Sequence, residues 1–359
     1  MSEHKYLQLA SQLREQIQEG VYQRGQRLPG ELTLAQQAGC SRQTVRQAIA
    51  LLEEEGLLAR RQGSGTYVRQ TSVRRAKTRN VAVVTTYIGE YIFPDILQGI
   101  ERTLSQNRYA SLLFATRNRV DRERQVLTEL LQKPIDGLIV EGTKTALPNP
   151  NIDLYRQFES LGLPVVFING VYAQLPEAVY VMADDQEGGR MACQELLDRG
   201  LRRIAGIFKS DDIQGHRRYA GYSQALREAG LPVVDDRVAW YTTEDRVDLL
   251  EASIPALVRG CDGLVCYNDQ VACQVLELLR RRGEPVPQLA SFDHSVFSRI
   301  SPTPFLALAN PKEQIGRLAA EKLLNMLRGR RETPALLPWR RESGPVRTTE
   351  TSTWGNPVR

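Results

Sequence analysis

Between residues 80 and 328, short apolar runs alternate with helix-length segments, and this alternation constrains the fold more than any other feature of the chain. The runs fall at 81–85, 111–115, 137–140, 165–168, 204–208, 263–266 and 289–292, with helical stretches near 95–107, 121–132, 151–161, 187–199, 216–229, 246–259 and 269–282. A strand that is apolar throughout is buried on both faces, which calls for a parallel sheet covered by helices. The number of runs predicts two such sheets, with the change from one to the other near 180–190. A later run, 305–309, and the helix after it, 311–328, are expected to return to the first lobe. In open α/β sheets ligands bind beyond the carboxyl ends of the strands, so a two-lobed body is expected to hold one between its lobes.

The same alternation suits a dehydrogenase or a kinase, and the motifs speak against both. No Gly-x-Gly-x-x-Gly opens a helix after any of these runs, and neither a phosphate loop nor a Gly-x-Ser-x-Gly elbow occurs. The five cysteines are scattered and odd in number, without a Cys-x-x-Cys pair, so they read as small hydrophobes of a reducing compartment. With only three histidines, far apart, neither a metal nor another cofactor is expected. No run of about 18 apolar residues is present, and the N-terminus lacks the basic-then-apolar pattern of a secretory leader. A cytoplasmic protein without enzymatic activity or a membrane partner is therefore expected.

The polar and aromatic residues at the ends of the runs suit a polyol. Sugar hydroxyls both donate and accept, which favours planar bidentate side chains and aromatic walls. Tyr87, Glu90, Tyr91 and Phe93 come after the first run; Glu141 and Lys144 after the third; Asn169 after the fourth. Lys209, Asp211, Gln214 and Arg218 come after the fifth, then Asn268 and Asp269, then Asp293 and His294. Any one of these alone is more simply a helix cap or a loop residue. Their convergence on strand ends favours a polar pocket.

Charge divides the chain differently. Residues 1–80 hold thirteen Lys/Arg against seven Asp/Glu, whereas the remainder holds 34 against 35. The positive excess therefore belongs to the first quarter, where a nucleic-acid partner would need it. There, Tyr6, Leu9, Ala10, Leu13 and Ile17 recur at helical spacing before Gly20. Leu28-Pro29-Gly30 turns the chain into a second helix, 31–38, closed by Gly39. Ser41 is placed to cap a third that buries Val45, Ala48, Ile49 and Leu52 and stops at Gly56. Two strand-like runs, 57–61 and 66–69, flank Gln62-Gly63-Ser64-Gly65, a hairpin with basic arms and a glycine tip.

Three short helices and such a hairpin predict a winged helix-turn-helix. Its third helix presents Arg42, Gln43, Thr44 and Arg46 to the major groove of double-stranded DNA, where arginine grips guanine bidentately. Gly63 and Gly65 let the wing approach the duplex, with Ser64 at the tip and Arg60 and Arg61 near phosphates. Residues 70–79 are polar and basic and read as a tether.

The string LPGELTLAQQAGCSRQTVRQAIALLEEEGLLARRQGSGTYV resembles the winged head of the GntR family over nearly all of residues 5–69. Two departures stand out: Gly30 where that family often has Ser, and Leu32 where it often has an arginine that aids DNA contact. The stretches IDGLIVEGTK, GIFKSDDIQGHRRYAGYSQAL and VCYNDQVACQVLELLR resemble LacI-type regulators built on the periplasmic sugar-binding fold, over about 80–343. That resemblance implies sugar contacts at Glu90, Phe93, Gln214, Arg218, Asn268 and Asp293, and further at Glu141, Asn169 and Asn310. It departs at LASFDHS, where His294 stands in place of the usual acid. The pairing of such a head with such a body implies L-arabinose as the effector.

The expected organisation is a winged head at 1–69, a linker at 70–79, a two-lobed effector-binding and dimerisation body at 80–343, and a tail at 344–359. The expected function is a homodimeric repressor of pentose-use genes that leaves its operator when sugar binds. The alternatives are the same architecture sensing another sugar or a nucleobase, and a sugar-binding protein without a DNA role.

Overall fold

The computed structural model describes residues 3–18, 20–23, 25–55, 57–61, 64–68, 77–89 and 91–341. Gly56, the linker 70–76 and the tail 344–359 lie outside them. In the head, α1 (Glu3–Gln18), α2 (Glu31–Gln37) and α3 (Arg42–Glu54) precede β1 (Leu58–Arg61) and β2 (Gly65–Val68). Leu9, Ala10 and Leu13 of α1 pack on Leu34 and Ala35 of α2, on Val45, Ala48, Ile49 and Leu52 of α3, and on Leu58 and Val68 of the hairpin. The third helix starts where expected because the Ser41 hydroxyl accepts the Thr44 amide at 3.1 Å, satisfying a donor that the helix itself leaves free. The hairpin is antiparallel, with Leu58 opposite Val68 and Arg61 opposite Gly65.

The body continues with β3 (Asn80–Thr85), α4 (Phe93–Gln106), β4 (Ala110–Ala115), α5 (Val120–Leu131), β5 (Gly137–Val140), α6 (Ile152–Ser160), β6 (Val165–Ile168) and β7 (Val179–Ala183). Next come α7 (Asp185–Asp198), β8 (Ile204–Lys209), α8 (Ile213–Glu228), β9 (Val238–Tyr241), α9 (Arg246–Leu257), β10 (Gly263–Cys266), α10 (Asp269–Arg282) and β11 (Gln288–Asp293). The last are α11 (Val296–Ile300), β12 (Leu306–Ala309), α12 (Lys312–Leu327) and β13 (Ala335–Leu337). The strands form two sheets, ordered β13-β7-β6-β5-β3-β4 and β12-β11-β10-β8-β9, in which every pairing is parallel. This is the predicted two-lobed architecture. The chain crosses from the first lobe to the second between Ala183 and Asp185.

One expectation is corrected. The run near 305–309 does not go back to the first lobe: β12 pairs with β11, Ala290 opposite Leu306 and Asp293 opposite Ala309. Its apolar side chains complete the edge of the second sheet, and only the helix after it, α12, returns to pack on α4 and on β5, β6 and β7. Three strands were not expected from the sequence: β7, β9 and β13. The outer two, β9 and β13, are short edge strands with half-exposed residues, so neither has the uninterrupted apolar run that marks a central parallel strand.

A close helix contact positions the second lobe's side chains. A Cβ on Gly189 of α7 would stand 2.0 Å from the Arg218 carbonyl of α8, and one on Gly221 would stand 1.9 Å from the Gln186 carbonyl. Only glycine admits this backbone approach. It seats the middle of α8, and with it Arg218, against the start of α7.

Candidate functional site

The carboxyl ends of both sheets face a cavity of about 180 Å³ between the lobes. Strand order brings the wall together, because turns after parallel strands all open at the same end. From the first lobe, Glu141 follows β5 and is buried. It accepts hydrogen bonds from the Thr86 amide (2.8 Å) and hydroxyl (2.5 Å) and from Asn169 Nδ2 (2.9 Å). Burial pushes this carboxyl above the usual range, and the Thr86 and Asn169 hydrogen bonds pull against that push. Asn169 is itself buried with positive φ, and its Oδ1 has no protein partner. A buried acceptor without a donor is costly, so this atom suits a ligand hydroxyl. Tyr87 and Phe93 form a tilted aromatic pair, 6.1 Å between centroids, and both line the cavity.

The second lobe contributes the strongest charges. Arg218 is 1% exposed; its Nε donates to Asp185 at 2.9 Å and its Nη1 to the Tyr267 carbonyl at 2.5 Å. Its guanidinium carbon lies 4.4 Å from the ring centre of Phe292, 4.7 Å from that of Tyr267 and 5.0 Å from that of Trp339. Three π faces and a carboxylate offset the loss of water around a fully buried cation. Nη2 stands 4.0 Å from Asp293, which also accepts from Asn310 Nδ2 (2.8 Å) and from the Tyr91 hydroxyl. Lys209 ends β8 in the same wall, 2.5 Å from Asp212 and 3.7 Å from Asp211. Burial disfavours its charge, yet Asp212 and Asp211 outweigh this and raise its pKa, so it remains an ammonium.

Of the residues singled out in the sequence, the cavity wall gathers Tyr87, Tyr91, Phe93, Glu141, Asn169, Lys209, Gln214, Arg218, Asn268 and Asp293. Five others lie elsewhere, among them Asp269, which is buried and accepts the Ser291 and Ser295 hydroxyls at 2.7 and 2.9 Å. Lys144 reaches Glu244 at 2.6 Å, and Asp211 is buried and accepts the Thr243 hydroxyl at 2.7 Å. Asn310 stands behind Asp293, and with His294 it lines a separate polar cavity beside Lys312 and Arg340. Glu90 lies outside the described residues. The wall also includes Thr86, Asn118, Asp212, Tyr241, Thr243, Arg246, Tyr267 and Gln270, which sequence reasoning passed over. The signal for Tyr241, Thr243 and Arg246 was the same strand-end rule, and it went unused because β9 was not recognised as a strand.

The head presents a second candidate surface. Arg42, Gln43 and Arg46 are exposed along the first turns of α3, whereas Thr44 is buried, its hydroxyl 2.8 Å from that of Ser41. Thr44 thus belongs to the cap. Glu31 of α2 draws the arginines together, lying 2.8 Å from Arg46, 3.7 Å from Arg42 and 3.9 Å from Arg60. Ser64 bonds the Tyr67 hydroxyl at 2.7 Å, and Gly65 holds φ +120°. Gly63 and the Arg61 side chain lie outside the described residues.

Comparison with known proteins agrees with both halves. Residues 5–68 match the model of bacterial regulatory proteins of the gntR family, and residues 78–338 match that of periplasmic binding proteins and the sugar-binding domain of the LacI family. The arabinose metabolism transcriptional repressor of Geobacillus stearothermophilus is 38% identical over 335 residues, covering 91% of this chain and 92% of that protein. The repressor of the same description from Halalkalibacterium halodurans is 34% identical, covering 92% and 91%. Among solved structures, the complex of the transcriptional regulator CelR with cellobiose superposes with a TM-score of 0.66 at 23% identity, over 88% of this chain and all of that one. The transcription regulator CcpA of Lactococcus lactis gives 0.66 at 23%, over 75% and 98%, and these likenesses show the shared fold. The chain belongs to the family of transcriptional regulators that join a GntR-type winged helix-turn-helix head to a LacI-type sugar-binding body.

Proposed function

We propose that this protein is a homodimeric repressor that holds operator DNA through its paired heads and releases it when L-arabinose binds between the lobes. The observation that carries the reading is the composition of the cavity wall: a buried Arg218, the carboxylates of Glu141, Asp212 and Asp293, the carboxamides of Asn169 and Asn268, and the Tyr87–Phe93 pair around about 180 Å³. That volume lies below the ~300–1,000 Å³ of pockets for drug-sized ligands, which favours a single sugar ring. The likeness to two repressors of arabinose metabolism, over nine-tenths of the chain, supports L-arabinose as that sugar. The body senses its ligand without turning it over, in the cytoplasm.

Glu141, Asn169, Asn268, Gln214, Arg218 and Asp293 bond the sugar hydroxyls, and Phe93 covers an apolar face. Arg42, Gln43 and Arg46 read bases, with Arg60 on phosphate. Sugar can shift the DNA equilibrium only through a difference in its affinity for the two states, so the linkage is reciprocal. Operator titrations with and without L-arabinose test the proposal: a coupling of about 1–3 kcal/mol weakens operator binding roughly 5- to 150-fold. Equal affinity in saturating arabinose rejects that sugar as inducer, and a shift with another sugar changes only the ligand's name.

A further inference from the structure

Strand order separates the cleft into a tethered side and a free side. In the first sheet β13 and β7 stand at one edge and β4 at the other; in the second, β12 stands at one edge and β9 at the other. The chain passes between lobes after β7, at Ala183–Asp185, and after β12, at Asn310–Lys312, and beyond β13 Arg340 bridges to Ala309. Every one of these connections belongs to the β13, β7 and β12 edges. The ends of β4 and β9 are therefore the lips of the cleft.

Those lips are bonded to each other. Asn118, just past β4, donates through Nδ2 to the Thr243 hydroxyl, just past β9, at 2.6 Å. Both partners are fixed within their own lobes: Asn118 Oδ1 accepts the Lys144 amide at 3.0 Å, and the Thr243 hydroxyl donates to Asp211 at 2.7 Å. Three further links flank the pair: Lys144 to Glu244 at 2.6 Å, the Ile213 amide to the Thr145 hydroxyl at 3.1 Å, and the Ala146 amide to the Asp211 carbonyl at 3.2 Å. Asn118 is 1% exposed, and both it and Thr243 line the cavity.

We infer that Asn118 and Thr243 form a clasp that selects the sugar by its size and substitution, admitting a free monosaccharide and rejecting one that carries a second ring or an O-alkyl group toward the β4–β9 edge. This rests on the proposed sugar-binding role of the cavity. A sugar contained within about 180 Å³ leaves the clasp closed over it. A substituent that projects between the lips separates Asn118 from Thr243, and a buried carboxamide then loses its partner without regaining water. Discrimination by unpaired buried polar groups is steeper than discrimination by a loose apolar wall.

The test is calorimetric and stopped-flow titration of the full-length protein, wild type, Asn118→Ala and Thr243→Val, with L-arabinose, D-xylose, D-ribose and D-galactose and with the methyl glycoside of whichever binds. Wild type is expected to prefer the free sugar by about 10-fold or more, the scale of one broken buried hydrogen-bonded pair. Each variant is expected to release the free sugar about 3- to 10-fold faster and to lose most of its preference over the glycoside. Wild type that binds both alike, variants that keep both the preference and the release rate, or a protein that binds none of these monosaccharides overturns the clasp. Failure of L-arabinose alone, with another monosaccharide bound and clasped, overturns only the identity of the effector.

Discussion

The Asp185 carboxylate and the Arg218 guanidinium meet at 2.9 Å with both side chains almost wholly excluded from solvent. Burial pushes the Asp185 carboxyl from 3.8 up to about 6 even with Arg218 beside it, so the desolvation of the acid outweighs the attraction. Folding therefore takes up a proton between those two values. The stability this group contributes is complete below about pH 4 and is lost as pH rises through 6, roughly 3 kcal/mol across the window. Asp185→Asn removes the dependence. The stability difference between wild type and variant should move by that amount in the variant's favour from pH 4 to pH 7. Paired urea titrations at the two pH values check this, and a constant difference shows that Asp185 titrates alike in the folded and unfolded chain.

Removing the cation is a different matter. Arg218→Ala leaves Asp185 and Asp293 buried without their counter-charge, and should cost about 3–5 kcal/mol of stability as well as sugar binding. Asp293→Asn is the cleaner probe of the site, since it keeps the shape that Asn310 and Tyr91 contact. Loss of a charged hydrogen bond, about 1.5–3 kcal/mol, should weaken sugar binding roughly 10- to 150-fold. Calorimetry beside a thermal melt separates the two effects; full affinity in a folded Asp293→Asn protein moves the site elsewhere.

In the head, Arg46 is held by Glu31 at 2.8 Å while remaining exposed. Arg46→Ala should cost about 1–3 kcal/mol of operator affinity and relax sequence preference if it reads a base. Gel shifts across a salt series distinguish this from a phosphate contact, which would weaken all sequences uniformly and flatten the salt slope.

Gly65→Val probes the wing. A Cβ there would stand 2.7 Å from Arg27 Nε, and φ +120° strains any residue that carries a side chain. The Arg27 side chain can swing aside, but the backbone must change, so the hairpin should reshape and DNA affinity should fall. Unchanged operator binding in this variant would mean the wing stays clear of the duplex.

Much of this protein is legible in its sequence. Helical spacing in the head, with Ser41 as cap and glycines after the helices, encodes local structure through short-range geometry. The apolar runs of β3, β5, β6, β8, β10 and β11 announce parallel strands because both faces are buried. Strand-end polarity likewise pointed to ten of the cavity's residues. Pairing between distant segments is the part the sequence could not carry. β12 is as apolar as a first-lobe strand, and only the hydrogen-bonding edge left open by β11 decides where it goes. The same holds for Lys144, Asp211, Asn310 and His294, which sit at strand ends like their neighbours yet bond other protein groups or line another cavity. A residue's chemistry is local, but whether its polar atoms meet a ligand or another side chain depends on which segments the tertiary fold brings within about 3 Å. Tyr267, Asn118 and Thr243 line the cavity for that reason: their positions follow from the meeting of two sheets, which is a property of no single stretch of the chain.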